Sequence, residues 1–210
     1  MNAVAAILLA AGRSRRMGAF KPLLPFGDKT VIETCVENLR AAGVGEIVVV
    51  VGHRADEVRA RLRHSGVEFA LNDAAESEMG VSIARGVEEI SDGIETFLVA
   101  LGDQPAIPPG VIRHLLAERK RVGGQLVAPQ WQNRGGHPVL IGSEYRDELL
   151  HLDPQRGLRA LFESHREDVR RVSVDSPYVV RDMDVWEDYC ALHEEVFGVP
   201  PSVAAPANQS

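Results

Sequence analysis

The 210-residue chain has only two cysteines, Cys35 and Cys190. Their spacing matches no metal-ligand or redox motif, and nothing in the sequence indicates a disulfide framework. We therefore expect both thiols to be small core or near-core residues. A reducing, cytoplasmic location is the expectation for such a chain, because structural disulfides are rare there.

Basic residues are also scarce relative to acidic ones. The chain has 23 Lys and Arg against 30 Asp and Glu, for a formal net charge of -7. Binding to nucleic acid or to an acidic membrane surface needs a broad basic surface, so neither partner is expected. A small anionic ligand remains compatible with this charge, because it needs only local positive potential.

Long hydrophobic runs are absent as well. The apolar start, residues 3–11, is too short to span a bilayer and has no basic segment before it. It is interpreted as a first buried strand. The length suits one domain, predicted over residues 1–198, although two small domains are not excluded. Residues 199–210, rich in Pro, Ala and Ser, are predicted to be a disordered tail.

Strand and helix patterns alternate through the first half of the chain. Predicted strands cover residues 4–9, 46–51, 67–71 and 96–101, and predicted helices cover 31–42, 54–63, 81–90 and 109–121. This alternation predicts a doubly wound α/β sheet. The second half is less regular, with short strands predicted at 126–128, 138–141, 169–174 and 178–182 and helices at 143–150, 157–164 and 185–197.

The loop after the first strand carries the strongest functional signal. It contains Gly12 and Gly18 together with four cations, Arg13, Arg15, Arg16 and Lys21. Small residues let backbone N–H groups approach an anion, and clustered cations neutralise phosphate oxygens. The loop therefore predicts a polyphosphate site. The alternative is an ordinary strand-to-helix connection with solvated charges.

Acidic residues follow two further predicted strands. Asp103 lies in a Gly-Asp-Gln-Pro turn, and Asp182 and Asp184 lie on one side of an extended segment. Ligands bind at the carboxyl ends of strands in parallel sheets, and carboxylates suit Mg²⁺. The alternatives are a turn-stabilising role for Asp103 and a helix N-cap role for Asp184.

A glycine-rich turn at residues 133–138 is the remaining unusual stretch. Its glycines permit close backbone approach, and Arg134 or His137 could contact the phosphate of an acceptor. A simple hairpin connection explains the same residues equally well. Trp131 fits a ligand-stacking surface, a lid or an interface. His53, directly after a predicted strand, could be functional, but the start of a helix is the favoured interpretation.

Several of these stretches resemble a known family. Leu9-Ala-Ala-Gly-Arg-Ser-Arg-Arg-Met-Gly18, followed by Lys21-Pro22, resembles the signature loop of nucleotidyltransferases with the nucleotide-diphospho-sugar transferase fold. Leu101-Gly-Asp-Gln-Pro105, Gly136-His-Pro138 and the segment from Asp182 to Asp188 follow in the expected order. The chain is most similar to the molybdenum cofactor cytidylyltransferases of the MobA-like NTP transferase group. This resemblance implies a Rossmann-like, three-layer α/β/α fold with a mostly parallel mixed sheet.

The resemblance also implies roles for individual residues. Catalytic roles fall on Arg15, Lys21 and Asp103, and metal binding falls on Asp103, Asp182 and Asp184. The implied nucleotide-binding residues are Leu9, Ala10, Ala11, Gly12, Ser14, Arg15, Met17, Gly18, Lys21, Asn72, Ser82 and Gly102. The implied acceptor-binding residues are Gln104, Gly136, His137 and Pro138.

The implied reaction transfers CMP from CTP to the terminal phosphate of molybdopterin, with Mg²⁺ or Mn²⁺ as cofactor and pyrophosphate as product. A molybdenum hydroxylase is an implied client. Ala11-Gly12 favours CTP over GTP in this resemblance. The alternatives are GTP as donor, a sugar or alditol phosphate as acceptor, and a non-catalytic molybdenum cofactor chaperone for a xanthine dehydrogenase-type hydroxylase. Three features depart from the family pattern: Glu78 in place of Gly, Val185-Trp186 in place of Thr-Pro, and Gln155-Arg156-Gly157 without its usual Asp.

Overall fold

A computed structural model describes residues 3–74, 79–122, 125–153 and 155–205. The strands are β1 (Val4–Ala10), β2 (Pro25–Phe26), β3 (Lys29–Thr30), β4 (Glu46–Val51), β5 (Glu68–Leu71), β6 (Thr96–Leu101), β7 (Leu126–Trp131), β8 (Arg134–Gly135), β9 (Val139–Gly142) and β10 (Val169–Ser173). The helices are α1 (Val31–Ala41), α2 (Ala55–Leu62), α3 (Met79–Glu88), α4 (Pro109–Val122), α5 (Arg146–Leu150), α6 (Leu158–Ser164) and α7 (Trp186–Phe197).

The main sheet has the strand order β10-β7-β9-β6-β1-β4-β5, with the short β8 added to β7. The β1–β4, β1–β6, β4–β5 and β7–β10 pairs are parallel, whereas β9 runs antiparallel to both of its neighbours. The chain moves outward from β1 to β4 and β5, then returns to place β6 on the other side of β1. The strand order thus reverses between β1 and β6, which is where α/β sheets bind ligands.

Alternation along the buried strands sorts side chains into two cores. In β1, Ala6 and Leu8 face a core shared with α1, α2, α4 and α7. Ala5 and Ile7 face the opposite core, shared with α3, α5 and α6. A strand covered on both faces needs a nearly continuous apolar run, and β1, β4 after Glu46 and β6 after Thr96 have such sequences. The predicted three-layer α/β/α fold with a mostly parallel mixed sheet is confirmed.

The predicted strand at residues 178–182 is wrong. Residues Pro177–Val180 form a 3₁₀ turn that begins on proline. The backbone N–H of His137 donates to the carbonyl oxygen of Val179 at 2.9 Å, so this turn packs against the start of β9 instead of adding a strand. The β-branched residues of this stretch predicted a strand, but Pro177 fixes its own backbone angle and starts the turn.

The turn before β9 is a hairpin, as one of the two interpretations of residues 133–138 predicted. Gln130 pairs with Gly135, and Trp131 pairs with Arg134. Gln132 and Asn133, between them, both have positive φ angles, as two-residue hairpin loops require. The polar composition of this stretch therefore has a structural explanation.

Both cysteines are free, and Cys35 is buried in the core, as expected. Within the described ranges, no helix is long and apolar enough to cross a bilayer. In the C-terminal segment, the carbonyl oxygen of Val199 accepts a hydrogen bond from His193 Nδ1 at 2.8 Å, and Val203 packs against the core. Residues 206–210 lie outside the described part, and the division into domain and disordered tail stays a prediction.

Candidate active site

A cleft of about 400 Å³ opens at the carboxyl edge of the sheet, beside the point where the strand order reverses. It is formed by the loop after β1 and by the ends of β4, β5 and β6. Its size is within the usual range for a small-molecule site. The lining residues are Leu9, Ala10, Ala11, Gly12, Arg13, Ser14, Lys21, Pro22, His53, Asn72, Asp73, Ala74, Met79, Ser82, Leu101, Gly102 and Asp103.

The first loop closes on itself around Ser14. This residue has a left-handed backbone conformation (φ 53°), and its Oγ accepts a hydrogen bond from the backbone N–H of Lys21 at 3.1 Å. A Cβ added at Gly12 would meet no protein atom within 4 Å. The protein's own packing therefore does not demand glycine there, and the backbone of Gly12 is open to a molecule in the cleft.

Lys21 joins two of the predicted metal ligands. Its Nζ lies 3.0 Å from Asp103 Oδ2 and 2.9 Å from Asp184 Oδ1. Arg16 completes the ion cluster, with Nη2 2.9 Å from Asp184 Oδ2. The side chain of Lys21 is 11% exposed, whereas Arg16 is 74% exposed. The Lys21 contacts are thus shielded from solvent, while the Arg16 contact adds little stability by itself.

The pKa values of this cluster reflect the pairing. Burial lowers the pKa of the Lys21 ammonium, but the charge of Asp103 and hydrogen bonds to both carboxylates outweigh it, so the pKa lies above its ordinary value. The hydrogen bond from Lys21 lowers the pKa of the Asp184 carboxyl below its usual range. Lys21 and Asp184 are therefore both charged at neutral pH.

Gly102 positions the end of β6 against β1. A Cβ added at Gly102 would lie 2.8 Å from the carbonyl oxygen of Leu9 and 3.1 Å from Ile32. The backbone N–H of Gly102 donates to the same Leu9 oxygen at 2.9 Å. This close approach requires glycine, and it sets the next residue, Asp103, at the mouth of the cleft.

Asn72 and Ser82 meet on the opposite side of the cleft. Asn72 Nδ2 donates to Ser82 Oγ at 2.8 Å, and both side chains are buried. The backbone N–H of Asn72 continues the β4–β5 pairing by donating to the carbonyl oxygen of Val51 at 2.8 Å. The side-chain hydrogen bond between Asn72 and Ser82 thus links the end of β5 to α3.

The predicted nucleotide-binding residues divide into two groups. Leu9, Ala10, Ala11, Gly12, Ser14, Lys21, Asn72, Ser82 and Gly102 all line the cleft. Arg15, Met17 and Gly18 do not. Met17 is 2% exposed and packs in the core, so in this structure its side chain anchors the loop. Arg15 and Gly18 are exposed.

The predicted acceptor-binding residues Gln104, Gly136, His137 and Pro138 lie outside the cleft lining. Gln104 is buried, and its Nε2 donates to the carbonyl oxygen of Arg181 at 3.3 Å. His137 is partly buried, with Nδ1 3.5 Å from the carbonyl oxygen of Val99. Burial lowers the pKa of the His137 imidazole, so this side chain is neutral at pH 7. With its single N–H directed at the Val99 carbonyl oxygen, the neutral ring has no second N–H and no positive charge to offer an acceptor phosphate.

Gly136 is surrounded by the protein itself. A Cβ added there would lie 1.9 Å from the carbonyl oxygen of Val179. The close backbone approach predicted for this glycine is therefore made by the 3₁₀ turn at Pro177–Val180. That turn leads directly into Asp182 and Asp184, so the fit at Gly136 sets the position of the acidic segment.

Substituting Gly136 with alanine tests this fit. Because the added methyl group would displace the Val179 carbonyl, we expect a loss of about 1–3 kcal/mol in unfolding free energy. Nucleotide turnover should fall as Asp184 shifts. Urea unfolding and a pyrophosphate assay measure both effects. Gly110→Ala is the control, since the nearest atom to its Cβ is a flexible Arg113 nitrogen 4.0 Å away. Wild-type stability and turnover in Gly136→Ala would show that this contact has no role.

Sequence reasoning missed part of the cleft wall. His53, Ala74 and Met79 all line it. His53 stacks edge-on against Phe20, with ring centroids 5.6 Å apart. Its position directly after β4 was the available signal, because strand ends converge at this edge. Glu78, one of the departures from the family pattern, lies outside the described residues.

The residues present fit a divalent metal held partly by substrate. Among the described residues, no group of three or more His, Cys, Asp or Glu side chains could hold a metal ion. The carboxylates of Asp103 and Asp184 both contact Lys21 Nζ. Asp182 is exposed and lies outside this ion cluster. Mg²⁺ commonly takes one or two carboxylates and completes its shell with water and phosphate oxygens. Two carboxylates beside a loop that carries several cations match that pattern.

The fold is an α/β domain whose cleft lies at the switch point of the sheet, where domains of this class bind their ligands. The chain belongs to the MobA-like NTP transferase domain family, whose model matches residues 6–169.

Three curated relatives illustrate the range of this similarity. Nicotine blue oxidoreductase of Paenarthrobacter nicotinovorans is 30% identical over 151 residues, covering 68% of this chain and 72% of that protein. Molybdenum cofactor cytidylyltransferase of Escherichia coli K12 is 24% identical over 196 residues, covering 92% of this chain and 97% of that protein. Bifunctional protein GlmU of Pelobacter propionicus is 32% identical over 152 residues, or 70% of this chain, but the chain spans only 32% of GlmU.

Several solved structures have a fold similar to that of this chain. Rv0371c from Mycobacterium tuberculosis H37Rv has a TM-score of 0.82 and 28% identity, covering 91% of this chain and 97% of that one. The complex of Rv0371c with manganese has a TM-score of 0.78 and 27% identity, covering 91% of this chain and 97% of that one. A nucleotidyl transferase from Methanothermobacter has a TM-score of 0.79 and 28% identity, covering 93% of this chain and 98% of that one. The chain thus has the nucleotide-diphospho-sugar transferase fold, and the manganese complex is consistent with divalent metal use in this family.

Proposed function

We propose that this protein is a Mg²⁺-dependent cytidylyltransferase that transfers CMP from CTP to the terminal phosphate of molybdopterin and releases pyrophosphate. The observation that carries the proposal is the Lys21–Asp103–Asp184 cluster beside the cleft. It combines a shielded cation for phosphate with two carboxylates for a metal. The similarity to the Escherichia coli molybdenum cofactor cytidylyltransferase supports the choice of substrates.

In this proposal the first loop binds the triphosphate. Gly12 and Arg13 both line the cleft, and glycine leaves its backbone open to a bound molecule. Lys21 moves from the two carboxylates onto the phosphates, where its charge offsets the negative charge of the triphosphate. A Mg²⁺ held by Asp103 and Asp184 would supply neutralisation of the charge that develops on pyrophosphate. No protein nucleophile is needed, because catalysis consists of positioning and charge stabilisation.

Asn72 and Ser82 have a separate role in this scheme. Their mutual hydrogen bond orients both polar groups on the wall opposite Asp103. We propose that they contact the nucleoside part of CTP. Because Asn72 also extends the sheet pairing to Val51, its position is fixed before the nucleotide binds.

Nucleotide choice can be measured by thermal shift with CTP, GTP, ATP and UTP in the presence of Mg²⁺. A ligand at 100 times its Kd stabilises the native state by about 2.7 kcal/mol. For a chain of this size, that corresponds to a rise in Tm of roughly 5–10 °C. We expect the largest rise with CTP. A larger rise with GTP would replace the cytidylyl assignment with a guanylyl one.

The acceptor is tested separately from the nucleotide. CTP turnover with molybdopterin should exceed turnover with sugar and alditol phosphates. A chaperone that only carries the finished dinucleotide would bind it without releasing pyrophosphate from CTP. The nicotine blue oxidoreductase relative adds a redox alternative. Reduction of nicotine blue without any CTP turnover would favour it over nucleotidyl transfer.

A further inference from the structure

The first turn of α7 is tied to the acidic segment by one side chain. Asp188 Oδ2 accepts hydrogen bonds from the backbone N–H groups of Asp184 and Val185, each at 3.0 Å. Asp184 is the residue whose two carboxylate oxygens contact Lys21 and Arg16. The hydrogen bonds to Asp188 therefore fix the backbone of a residue whose side chain contacts Lys21, one of the residues that line the cleft.

Among the described residues, no other side chain accepts a hydrogen bond from the backbone at this end of the helix. The residue before α7 is Val185, whose side chain has no hydrogen-bond acceptor. A polar residue at that position would normally satisfy one of the free N–H groups of the first turn. In this chain the carboxylate of Asp188, the third residue of the helix, instead accepts from the backbone N–H groups of Asp184 and Val185, which is the backward-reaching half of a capping box.

The neighbouring residue anchors the same turn to the other half of the cluster. Tyr189 is fully buried, and its hydroxyl donates to the carbonyl oxygen of Pro25 at 2.7 Å. Pro25 follows the 3₁₀ turn Lys21–Leu23. Consecutive residues of α7 thus hold the segments that carry Asp184 and Lys21. The helix start is a common support for both members of the ion pair.

We infer that Asp188 is a positioning residue, which holds Asp184 in the orientation needed for a divalent metal. The inference rests on the proposed function, since it gives Asp184 a metal to bind. Asp188 itself contacts backbone atoms only in this arrangement, so its effect acts through Asp184. Residues that orient a metal ligand commonly change metal affinity by about 10–100-fold when they are removed.

The experiment measures the affinity for Mn²⁺ alone by electron paramagnetic resonance of the free ion, in four variants of the full chain. Asp188→Ala should weaken binding by about 10-fold or more. Asp188→Asn keeps a hydrogen-bond acceptor without the charge and should stay within about threefold of wild type. Glu187→Ala, which removes a neighbouring exposed acid of the same helical turn, is the matched control and should leave affinity unchanged. Asp184→Ala reports whether Asp184 binds the metal at all.

Each result distinguishes the inference from the proposed function. Wild-type affinity in Asp188→Ala, with weak binding in Asp184→Ala, overturns the positioning role and leaves the metal site standing. Equal losses in the Asn and Ala variants also overturn it, because the effect would then come from charge alone. Wild-type affinity in Asp184→Ala removes the metal role of that residue and the inference with it. If Asp188→Ala does not fold, Asp188→Asn decides: a loss of about 10-fold overturns the inference, and a change within threefold supports it.

Discussion

Replacing Asp103 with alanine is expected to abolish pyrophosphate release from CTP and leave the fold intact. A bound metal contributes several kcal/mol of charge stabilisation to such a transition state, so the loss should be about a thousandfold or more. The fold should survive because the Asp103 side chain is 30% exposed and lies at a strand end outside both cores. Pyrophosphate release and far-UV circular dichroism measure the two effects.

Two variants control this prediction. Asp103→Asn keeps the shape and a hydrogen-bond acceptor for Lys21 but removes the charge, so it should lose nearly as much activity as alanine. Asp56→Ala removes a fully exposed aspartate from α2, whose nearest partner is Arg59 at 3.9 Å. It should have wild-type turnover. Unchanged turnover in Asp103→Ala would remove the metal-site proposal.

Replacing Lys21 with methionine is expected to have opposite effects on turnover and on metal affinity. Turnover should fall by about 10²–10³-fold, because a preorganised cation near the phosphates is lost. Affinity for Mn²⁺ without nucleotide should rise, because the ammonium no longer neutralises Asp103 and Asp184. Methionine fills similar space, so the partly buried position should not collapse.

The neighbouring lysine provides a matched control. Lys29 is exposed and pairs with Glu37 away from the cleft. Lys29→Met should change neither turnover nor Mn²⁺ affinity. Weaker Mn²⁺ binding in Lys21→Met would contradict the view that the ammonium and the metal compete for the same two carboxylates.

The buried strands could be predicted from the sequence because their composition is unambiguous. Glu46-Ile-Val-Val-Val-Val51 and Thr96-Phe-Leu-Val-Ala-Leu101 contain consecutive apolar residues that only a sheet covered on both faces accommodates. Their ends also predicted the edge of the site, since parallel strands place all their carboxyl ends together. The positions of the first loop, Asn72 and Asp103 at one cleft follow from that rule.

The contacts within the site could not be predicted in the same way. Lys21 is 82 positions from Asp103 and 163 positions from Asp184. The contact of Lys21 with Asp184 depends on the 3₁₀ turn at Pro177–Val180, whereas the sequence pattern had predicted a strand at residues 178–182. At Gly136 the structure shows the carbonyl oxygen of Val179 in close approach, and the predicted contact with an acceptor stays a prediction. These are properties of tertiary packing, and local residue patterns do not encode them.

The support of Asp184 by Asp188 shows the same limit. The sequence allowed Asp184 to be a helix N-cap or a metal ligand. In the structure its carboxylate contacts Lys21 and Arg16, and the N-cap position of the helix is Val185. The N-cap interpretation of Asp184 is therefore wrong, and its role as a metal ligand stays a prediction.

The most direct test of the central proposal is pyrophosphate release by the purified protein with Mg²⁺, CTP and molybdopterin, with the nucleotide product identified by mass spectrometry. We predict stoichiometric pyrophosphate and molybdopterin cytosine dinucleotide, and no comparable turnover when a sugar phosphate replaces molybdopterin. The absence of pyrophosphate with every combination of nucleotide and acceptor would contradict nucleotidyl transfer at the Lys21–Asp103–Asp184 cluster.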